Sequence, residues 1–215
     1  MKILIGARPS RLAIIQVKEI TERFPDLDFE LVVIKTKGDR DKVTSLTDKR
    51  AIGFFTYDIE KALLNGKIDI AVHSAKDLDG DLPQELVIVA ITRSISSLEC
   101  LISRNNFKLT ELPKGSVVGT SSYKRKSSVV KFRADLEVKN IRGNIEERIQ
   151  QVDSGRFDAI IVAHAALLRL GYQNRIAEII EPCIIRPHPL QGSLAVEACK
   201  DRIDLISIFR SINNE

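Results

Sequence analysis

The sequence predicts an α/β fold made of two similar domains, and three observations support this fold class. Short apolar runs typical of buried strands alternate with segments of helical spacing, which favours largely parallel sheets with helices on both faces. The alternation pauses after residue 91 and starts again at residue 101. Residues 65–73 and 154–162 also resemble each other, because each has a helix end at Gly, then a basic residue, Asp and an apolar strand.

Chance is the alternative explanation of this similarity between two α/β units. Two similar domains that face each other across a cleft are the simpler interpretation, and ligands usually bind in such clefts. The first half predicts strands at 3–5, 29–34, 68–72 and 86–91, helices at 10–24 and 54–64, and a charged segment at 36–50. Pro25 ends the first helix and Gly66 the second.

The second half repeats the alternation. It predicts strands at 101–103, 117–119, 138–141 and 158–162, and helices at 122–132, 144–155, 165–170, 174–180 and 201–212. Asn144 and Glu147 form a capping-box pattern that marks the start of one helix, and Gly171 closes another.

The composition indicates a globular protein that can bind anions. Of 215 residues, 44% are hydrophobic and 29% charged, so disorder is not expected. The net charge of +4 permits anionic ligands without selecting among nucleic acid, phosphate and carboxylate. Eight Phe and three Tyr accompany 33 basic residues, with no Trp, so base-stacking platforms are sparse and nucleic acid is not the expected partner.

Targeting and metal signals are weak. The apolar runs are too short to span a bilayer or to form a signal-peptide core, so a cytosolic protein without a membrane partner is expected. Cys100, Cys183 and Cys199 are widely spaced, which suggests neither a disulfide framework nor a zinc site. The three histidines show no metal-ligand or triad spacing and are interpreted as structural; they are His73, His164 and His188.

Four segments place hydroxyl and cationic side chains where a predicted strand ends and a helix begins. They are 6–11, 72–77, 119–126 and 141–144, and their cations include Arg8, Lys76, Lys124, Arg125 and Arg142. Helix N-termini attract anions, and open α/β sheets bind ligands at the carboxyl ends of strands. Ordinary helix capping explains any one segment alone, but the coincidence of four favours a small polyanionic ligand.

Asp77 is an acidic residue in one of these four segments, whose charged residues are otherwise mainly cations. It directly follows Lys76 at the end of a predicted strand. A carboxylate there could hold or transfer a proton on a nitrogen-bearing substrate. The alternatives are a helix cap or a partner for Lys76.

Five motifs in a fixed order carry a resemblance to a known family. They are RPSRLA at 8–13 with Gln16, IDIAVHSAKD at 68–77, GTSSYKR at 119–125, RGNIEER at 142–148, and LQGS at 190–193 with Glu197. In these motifs, which together span most of the chain, the protein resembles the hydroxymethylbilane synthases (porphobilinogen deaminases).

The resemblance implies two domains of type-2 periplasmic-binding-like topology around a central cleft, with the chain crossing between them twice. Domain 1 would comprise 1–92 plus 188–215, and domain 2 would comprise 93–187. It also implies a reaction in which four porphobilinogen molecules lose ammonia and join into linear hydroxymethylbilane. Asp77 would be the catalytic residue, a buried carboxylate that stabilises the cationic azafulvene and manages pyrrole N–H protons.

The resemblance also assigns binding residues by position. The dipyrromethane cofactor would be bound by Ser74, Lys76, Thr120, Ser121, Ser122, Lys124, Arg125, Arg142, Gly143 and Ser193. Porphobilinogen and the growing pyrrole chain would be bound by Arg8, Ser10, Gln16, Arg148, Arg169 and Gln191. Each pyrrole bears acetate and propionate, so a lengthening chain needs several Arg and Lys partners.

The chain departs from the family pattern in three places. Family members normally continue into a third domain whose Gly-Gly-Cys motif holds dipyrromethane through a thioether, and none of the three cysteines lies in such a motif. Lys124 replaces an Arg, and Ile52 replaces a loop Lys for which Lys49 and Arg50 could compensate. The polar segment 37–50 is expected to be a mobile lid.

Of three hypotheses from the sequence, a nucleic-acid-binding protein is disfavoured because the cations cluster at the predicted cleft positions, and two remain. One is a functional synthase, with the third domain supplied by a separate polypeptide or dipyrromethane held non-covalently. The other is a binding module that grips a tetrapyrrole or another polycarboxylate without chemistry. Retention of Asp77 favours the synthase, because a pure polyacid binder gains nothing from a carboxylate there.

Overall fold

A computed structural model of the chain describes residues 2–41, 53–78 and 82–214. Its strands are β1 (Lys2–Ala7), β2 (Asp28–Val33), β3 (Ile70–Ser74), β4 (Leu86–Ile91), β5 (Glu99–Ser103), β6 (Val117–Gly119), β7 (Glu137–Lys139), β8 (Ala159–Ala163), β9 (Glu178–Ile180) and β10 (Leu194–Cys199). Its α-helices are α1 (Arg11–Thr21), α2 (Lys37–Arg40), α3 (Tyr57–Leu64), α4 (Tyr123–Phe132), α5 (Ile145–Asp153), α6 (His164–Leu170) and α7 (Ile203–Phe209).

These elements form two compact units. The described residues of unit 1 are 2–41, 53–78, 82–95 and 192–214, and those of unit 2 are 96–191. The predicted domain limits, 92/93 and 187/188, lie three and four residues before the limits of the units. Most of the predicted lid, residues 42–50, and Ile52 lie outside the described residues.

Each unit contains one five-stranded sheet, and the two sheets have the same topology. The strand order is β2-β1-β3-β10-β4 in unit 1 and β7-β6-β8-β5-β9 in unit 2. In both, the first three strands are parallel, and the fourth runs antiparallel to both of its neighbours. The fourth strand is β10 in unit 1 and β5 in unit 2. The predicted largely parallel α/β sheets are thus present, each with one reversed strand.

Helices cover the sheet of unit 1 with apolar side chains. Phe209 of α7 is fully buried, and its ring lies 4.9 Å from that of Phe24 and 6.3 Å from that of Phe29. Ile59 and Leu63 of α3 pack in a second cluster of the same unit. In unit 2, the alternate residues of β8 point to two separate clusters, which is typical of a strand covered on both faces.

One predicted helix is wrong. Residues 174–180 form a short 3₁₀ turn (Gln173–Arg175) followed by strand β9, which pairs antiparallel with β5. The isoleucines in this stretch have helical spacing, but Ile180 is buried in the unit 2 core as a strand residue. Pairing with the edge of β5 opposite to β8 outweighs the local pattern, as is common for short apolar segments.

The similarity between residues 65–73 and 154–162 is explained by two aspartates. Asp69 precedes β3, and its Oδ2 accepts a hydrogen bond from the backbone N–H of Leu4 at 2.8 Å. Asp158 precedes β8, and its Oδ2 accepts from the N–H of Val117 at the same distance. Each carboxylate also pairs with an arginine, Arg202 in unit 1 and Arg104 in unit 2. The repeated Asp thus fixes the same pair of parallel strands in both units.

Asp158→Ala is expected to lower the free energy of unfolding by about 1–3 kcal/mol, because it leaves the part-buried N–H of Val117 without an acceptor. Urea unfolding followed by circular dichroism measures this loss. Arg104→Ala is the control, because it removes an ion pair whose side chains are 48% and 34% exposed. That pair is worth less than about 1 kcal/mol. Equal losses in the two variants would contradict the assignment of the stabilisation to the backbone contact.

Candidate functional site

The carboxyl end of β3 carries the predicted catalytic residue. After Ser74 the chain makes a single 3₁₀ turn, Ala75–Asp77, and the N–H of Ala75 donates to the carbonyl of Ser193 at 3.0 Å. Lys76 is half-buried in this turn and Asp77 is exposed. The Asp77 carboxylate makes no hydrogen bond or ion pair with any residue that the structure describes. The resemblance implies a buried carboxylate, whereas the structure presents an open one.

Three other predicted ligand residues of unit 1, Gln16, Ser74 and Ser10, already have partners within it. Gln16 is 5% exposed, and its amide Nε2 donates to Ser74 Oγ at 2.9 Å. Ser10 is the N-cap of α1, and its Oγ accepts from the N–H of Ala13 at 3.2 Å. Ser193, the residue before β10, is 7% exposed. These side chains shape the carboxyl ends of β1 and β3.

Arg8 lies between β1 and α1 and is bound by two groups. Its Nη2 donates to Asp39 Oδ1 at 2.5 Å, and its Cζ lies 4.0 Å from the ring centroid of Phe55. Burial raises the pKa of the Asp39 carboxyl, but the hydrogen bonds and charge of Arg8 and the hydrogen bonds of Thr36 outweigh it, so the pKa is lowered overall. Sequence reasoning missed Asp39 and Phe55 as partners of this arginine.

In unit 2, the segment between β6 and α4 contains the predicted hydroxyl cluster. Ser122 caps α4, and its Oγ accepts from the N–H of Arg125 at 3.4 Å. Thr120 is 1% exposed, and its Oγ1 accepts from the N–H of Ser122 at 3.3 Å. Ser121 bonds both the N–H and the carbonyl of Ile141, which ties β6 to the segment before α5. Lys124 is exposed, and its Nζ donates to the carbonyl of Pro187 at 3.3 Å.

Arg125 is held in a buried ion pair. Its Nε and Nη2 donate to the two oxygens of Glu99 at 2.9 and 2.7 Å, and its Nη1 donates to the carbonyl of Ile161 at 3.2 Å. Gln191 is 1% exposed; its Oε1 accepts from Arg125, and its Nε2 donates to the carbonyl of Ser97. Sequence reasoning missed Glu99, whose signal is a charged residue at the start of an apolar strand.

The start of α5 has the predicted capping box. Asn144 Oδ1 accepts from the N–H of Glu147, and Glu147 Oε2 accepts from the N–H of Asn144, both at 2.8 Å. Gly143 has a φ of 107°, and a Cβ there would meet the Glu147 carboxylate at 2.7 Å. Arg148 Nε donates to the carbonyl of Gly143 at 2.9 Å. The two remaining predicted cations, Arg142 and Arg169, are half-buried.

The three cysteines and two of the histidines have the following environments. Burial, with a smaller contribution from Glu99, raises the pKa of the Cys100 thiol to about 12. A thiol with that pKa stays protonated and is a poor nucleophile at neutral pH. Cys199 ends β10 and Cys183 is exposed. His73 contacts Glu197 at 2.9 Å and His164 contacts Ser96 Oγ at 3.0 Å.

The family model that matches residues 3–207 is described as porphobilinogen deaminase, dipyromethane cofactor binding domain. The chain belongs to the porphobilinogen deaminase family. Dipyrromethane is therefore the cofactor expected for the matching domain.

Porphobilinogen deaminases from several bacteria are similar to the chain. That of Deinococcus radiodurans is 44% identical over 202 residues, which cover 91% of this chain and 65% of the relative. That of Bacillus subtilis is 40% identical over 218 residues, 99% of this chain and 69% of the relative. That of Listeria innocua is 40% identical over 221 residues, 100% of this chain and 72% of the relative. The chain thus spans about two thirds of the length of these relatives.

Solved structures of periplasmic-binding type share the fold. The Bordetella pertussis BvgS VFT2 domain matches with a TM-score of 0.56 at 14% identity, covering 98% of this chain and 86% of that one. The methionine binding protein MetQ matches with a TM-score of 0.57 at 14% identity, covering 98% and 89%. The predicted periplasmic-binding-like class of fold is therefore confirmed. No described helix is long and apolar enough to cross a membrane.

The donor set of unit 2 fits a carboxylate-bearing cofactor such as dipyrromethane. Lys124 is an exposed cation in the first turn of α4, where the helix dipole also favours an anion. Arg142 is half-buried immediately before the N-terminus of α5. Arg125 contributes less net charge than the sequence suggests, because Glu99 offsets it.

Proposed function

We propose that the protein acts in tetrapyrrole biosynthesis as a hydroxymethylbilane synthase, which condenses four porphobilinogen molecules with release of ammonia. Family membership supports this proposal. The observation that carries it is the turn after β3, where the exposed carboxylate of Asp77 follows Lys76. We place the reaction in the cytosol, as the sequence predicts.

Asp77 is the catalytic residue in this proposal. The aminomethyl group of porphobilinogen reacts as its protonated ammonium form: when its C–N bond breaks, the bonding pair leaves with neutral ammonia, and the positive charge passes to the remaining pyrrole. A carboxylate beside the pyrrole nitrogen stabilises that charge and accepts the N–H proton when it is released. The free oxygens of an exposed aspartate, with no described partner, are available for this contact.

The cations bind carboxylates. We assign Arg8 of unit 1 and Arg148 and Arg169 of unit 2 to substrate carboxylates, and Lys76, Lys124 and Arg142 to those of dipyrromethane. Arginine suits a planar carboxylate because it donates two parallel hydrogen bonds, and lysine contributes a point charge. The hydroxyls of Thr120 and Ser122 shape the α4 N-terminus, and Ser121 and Gln191 act through the residues that they hold.

Dipyrromethane would supply the pyrrole acceptor to which the first porphobilinogen is joined. The residues of this chain would bind its carboxylates and orient it. Burial keeps Cys100 protonated, so we do not assign the thioether to that residue.

The test is incubation of the purified chain with porphobilinogen, with release of ammonia and formation of linear tetrapyrrole followed together. The intact mass of the protein, measured before and after, shows whether dipyrromethane is attached. Turnover with ammonia and tetrapyrrole in a ratio of about four to one supports the proposal. Tight binding of preformed hydroxymethylbilane without ammonia release would replace it with the non-catalytic binding module.

A further inference from the structure

We propose that Asp39 is a positioning residue for Arg8, which it holds with one edge of the guanidinium available to a ligand carboxylate. The inference rests on the proposed function only for the identity of that ligand. The two residues are 31 positions apart in sequence.

The contacts of Arg8 occupy one edge and one face of its guanidinium. Nε donates to Asp39 Oδ1 at 3.2 Å, Nη2 donates to the same oxygen at 2.5 Å, and the Phe55 ring covers the face at 4.0 Å. Guanidinium has five N–H donors. Among the described residues, Nη1 has no hydrogen-bond acceptor. The Nη1–Nη2 edge is therefore the one that can donate two parallel bonds to a further carboxylate.

Asp39 is itself fixed by its neighbours. Its Oδ2 accepts from the N–H of Thr36 at 3.0 Å and from Thr36 Oγ1 at 2.8 Å. The Asp39 side chain is 12% exposed and Thr36 is fully buried. The N–H of Gly38 donates to the carbonyl of Phe54 at 2.8 Å, which joins α2 to the segment that carries Phe55. These bonds give Asp39 one orientation before any ligand arrives.

An arginine that is already oriented loses less conformational entropy when it binds a carboxylate. Asp39 also offsets the charge of Arg8, so binding at this place depends on the direction of the free N–H groups more than on net charge. If Asp39 instead competed with the ligand for Arg8, its removal would tighten binding. The two roles therefore predict changes of opposite sign.

In the test, Asp39→Asn is expected to raise KM for porphobilinogen roughly tenfold while kcat stays within about twofold, because ground-state and transition-state binding weaken together. In an Arg8→Gln background, Asp39→Asn should have almost no further effect, since the two residues act through one contact. Asp28→Asn, an exposed aspartate at the start of β2, is the control and should match the unaltered protein. Tighter binding in Asp39→Asn, or additive effects in the double variant, would overturn the proposal.

A second readout separates this inference from the proposed function. The Nε–H signal of Arg8 in a nitrogen–proton NMR spectrum should be protected from exchange in the unaltered protein and lost in Asp39→Ala, which removes the acceptor oxygen. If the chain neither turns over nor binds porphobilinogen, the proposed function fails. The NMR signal alone then tests whether Asp39 positions Arg8. An unchanged Arg8 signal in Asp39→Ala then shows that Asp39 does not hold the arginine, and its loss shows that it does.

Discussion

Asp77→Asn is expected to reduce kcat for porphobilinogen by a factor of roughly 10²–10⁴, the range for loss of a positioned acid–base group. The amide has the size of the carboxylate but no negative charge, so it neither stabilises a cationic pyrrole nor accepts its proton. KM should change little, because the cations assigned to the substrate carboxylates are intact. Ammonia release under single-turnover conditions measures the chemical step directly.

Because Asp77 is exposed, this variant separates an effect on catalysis from an effect on stability. Because its carboxylate has no partner among the residues that the structure describes, the substitution should change stability by less than about 0.5 kcal/mol. A loss of activity with an unchanged urea midpoint is then a catalytic effect. Asp28→Asn again serves as the matched control. Activity of Asp77→Asn within about threefold of the unaltered protein would remove Asp77 from the mechanism.

Local signals were sufficient for many elements of the fold. β4 and β6 have the predicted bounds, 86–91 and 117–119, because each is a short apolar run between turn residues. The capping box at Asn144 marks the start of α5 because its two hydrogen bonds are made within four residues. The stretch 174–180 was predicted wrongly because pairing with β5, about 80 residues earlier in the chain, decides its structure.

At the candidate site, too, local features could be predicted from the sequence, and contacts between distant residues could not. The caps of α1, α4 and α5 lie where the motifs place them, since capping is local. The carboxylates that offset the two site arginines were not predicted. Asp39 is 31 residues from Arg8 and Glu99 is 26 residues from Arg125, so no spacing rule connects them. A charge at the start of a buried strand indicates that a partner exists, but only the folded chain shows which residue it is.

Glu99→Ala is expected to lower the free energy of unfolding by about 3–5 kcal/mol, because it leaves the Arg125 guanidinium buried without a counter-charge. The Arg125 side chain is 11% exposed and that of Glu99 is 5% exposed. Glu99 lies in β5, the fourth strand of the unit 2 sheet, and pairs through its backbone with β8 and β9, so its carboxylate joins α4 to that strand. Urea unfolding measures the loss. Glu137→Ala is the control, because its ion pair with Lys139 is more than half exposed and is worth less than about 1 kcal/mol.

The double variant Glu99→Leu with Arg125→Met should recover most of this stability, since removal of both charges leaves no buried ion without a partner. A double variant as unstable as Glu99→Ala would show that the loss comes from packing and not from the unpaired arginine.

The same folded double variant tests the predicted cofactor role of Arg125. If Arg125 only joins α4 to the sheet, the variant retains dipyrromethane; if Arg125 donates to a dipyrromethane carboxylate, the variant is stable but loses the cofactor. Unlike Arg8, Arg125 has no second edge free for a ligand, because Glu99 occupies its Nε–Nη2 edge and its Nη1 donates to the carbonyl of Ile161, so we expect retention.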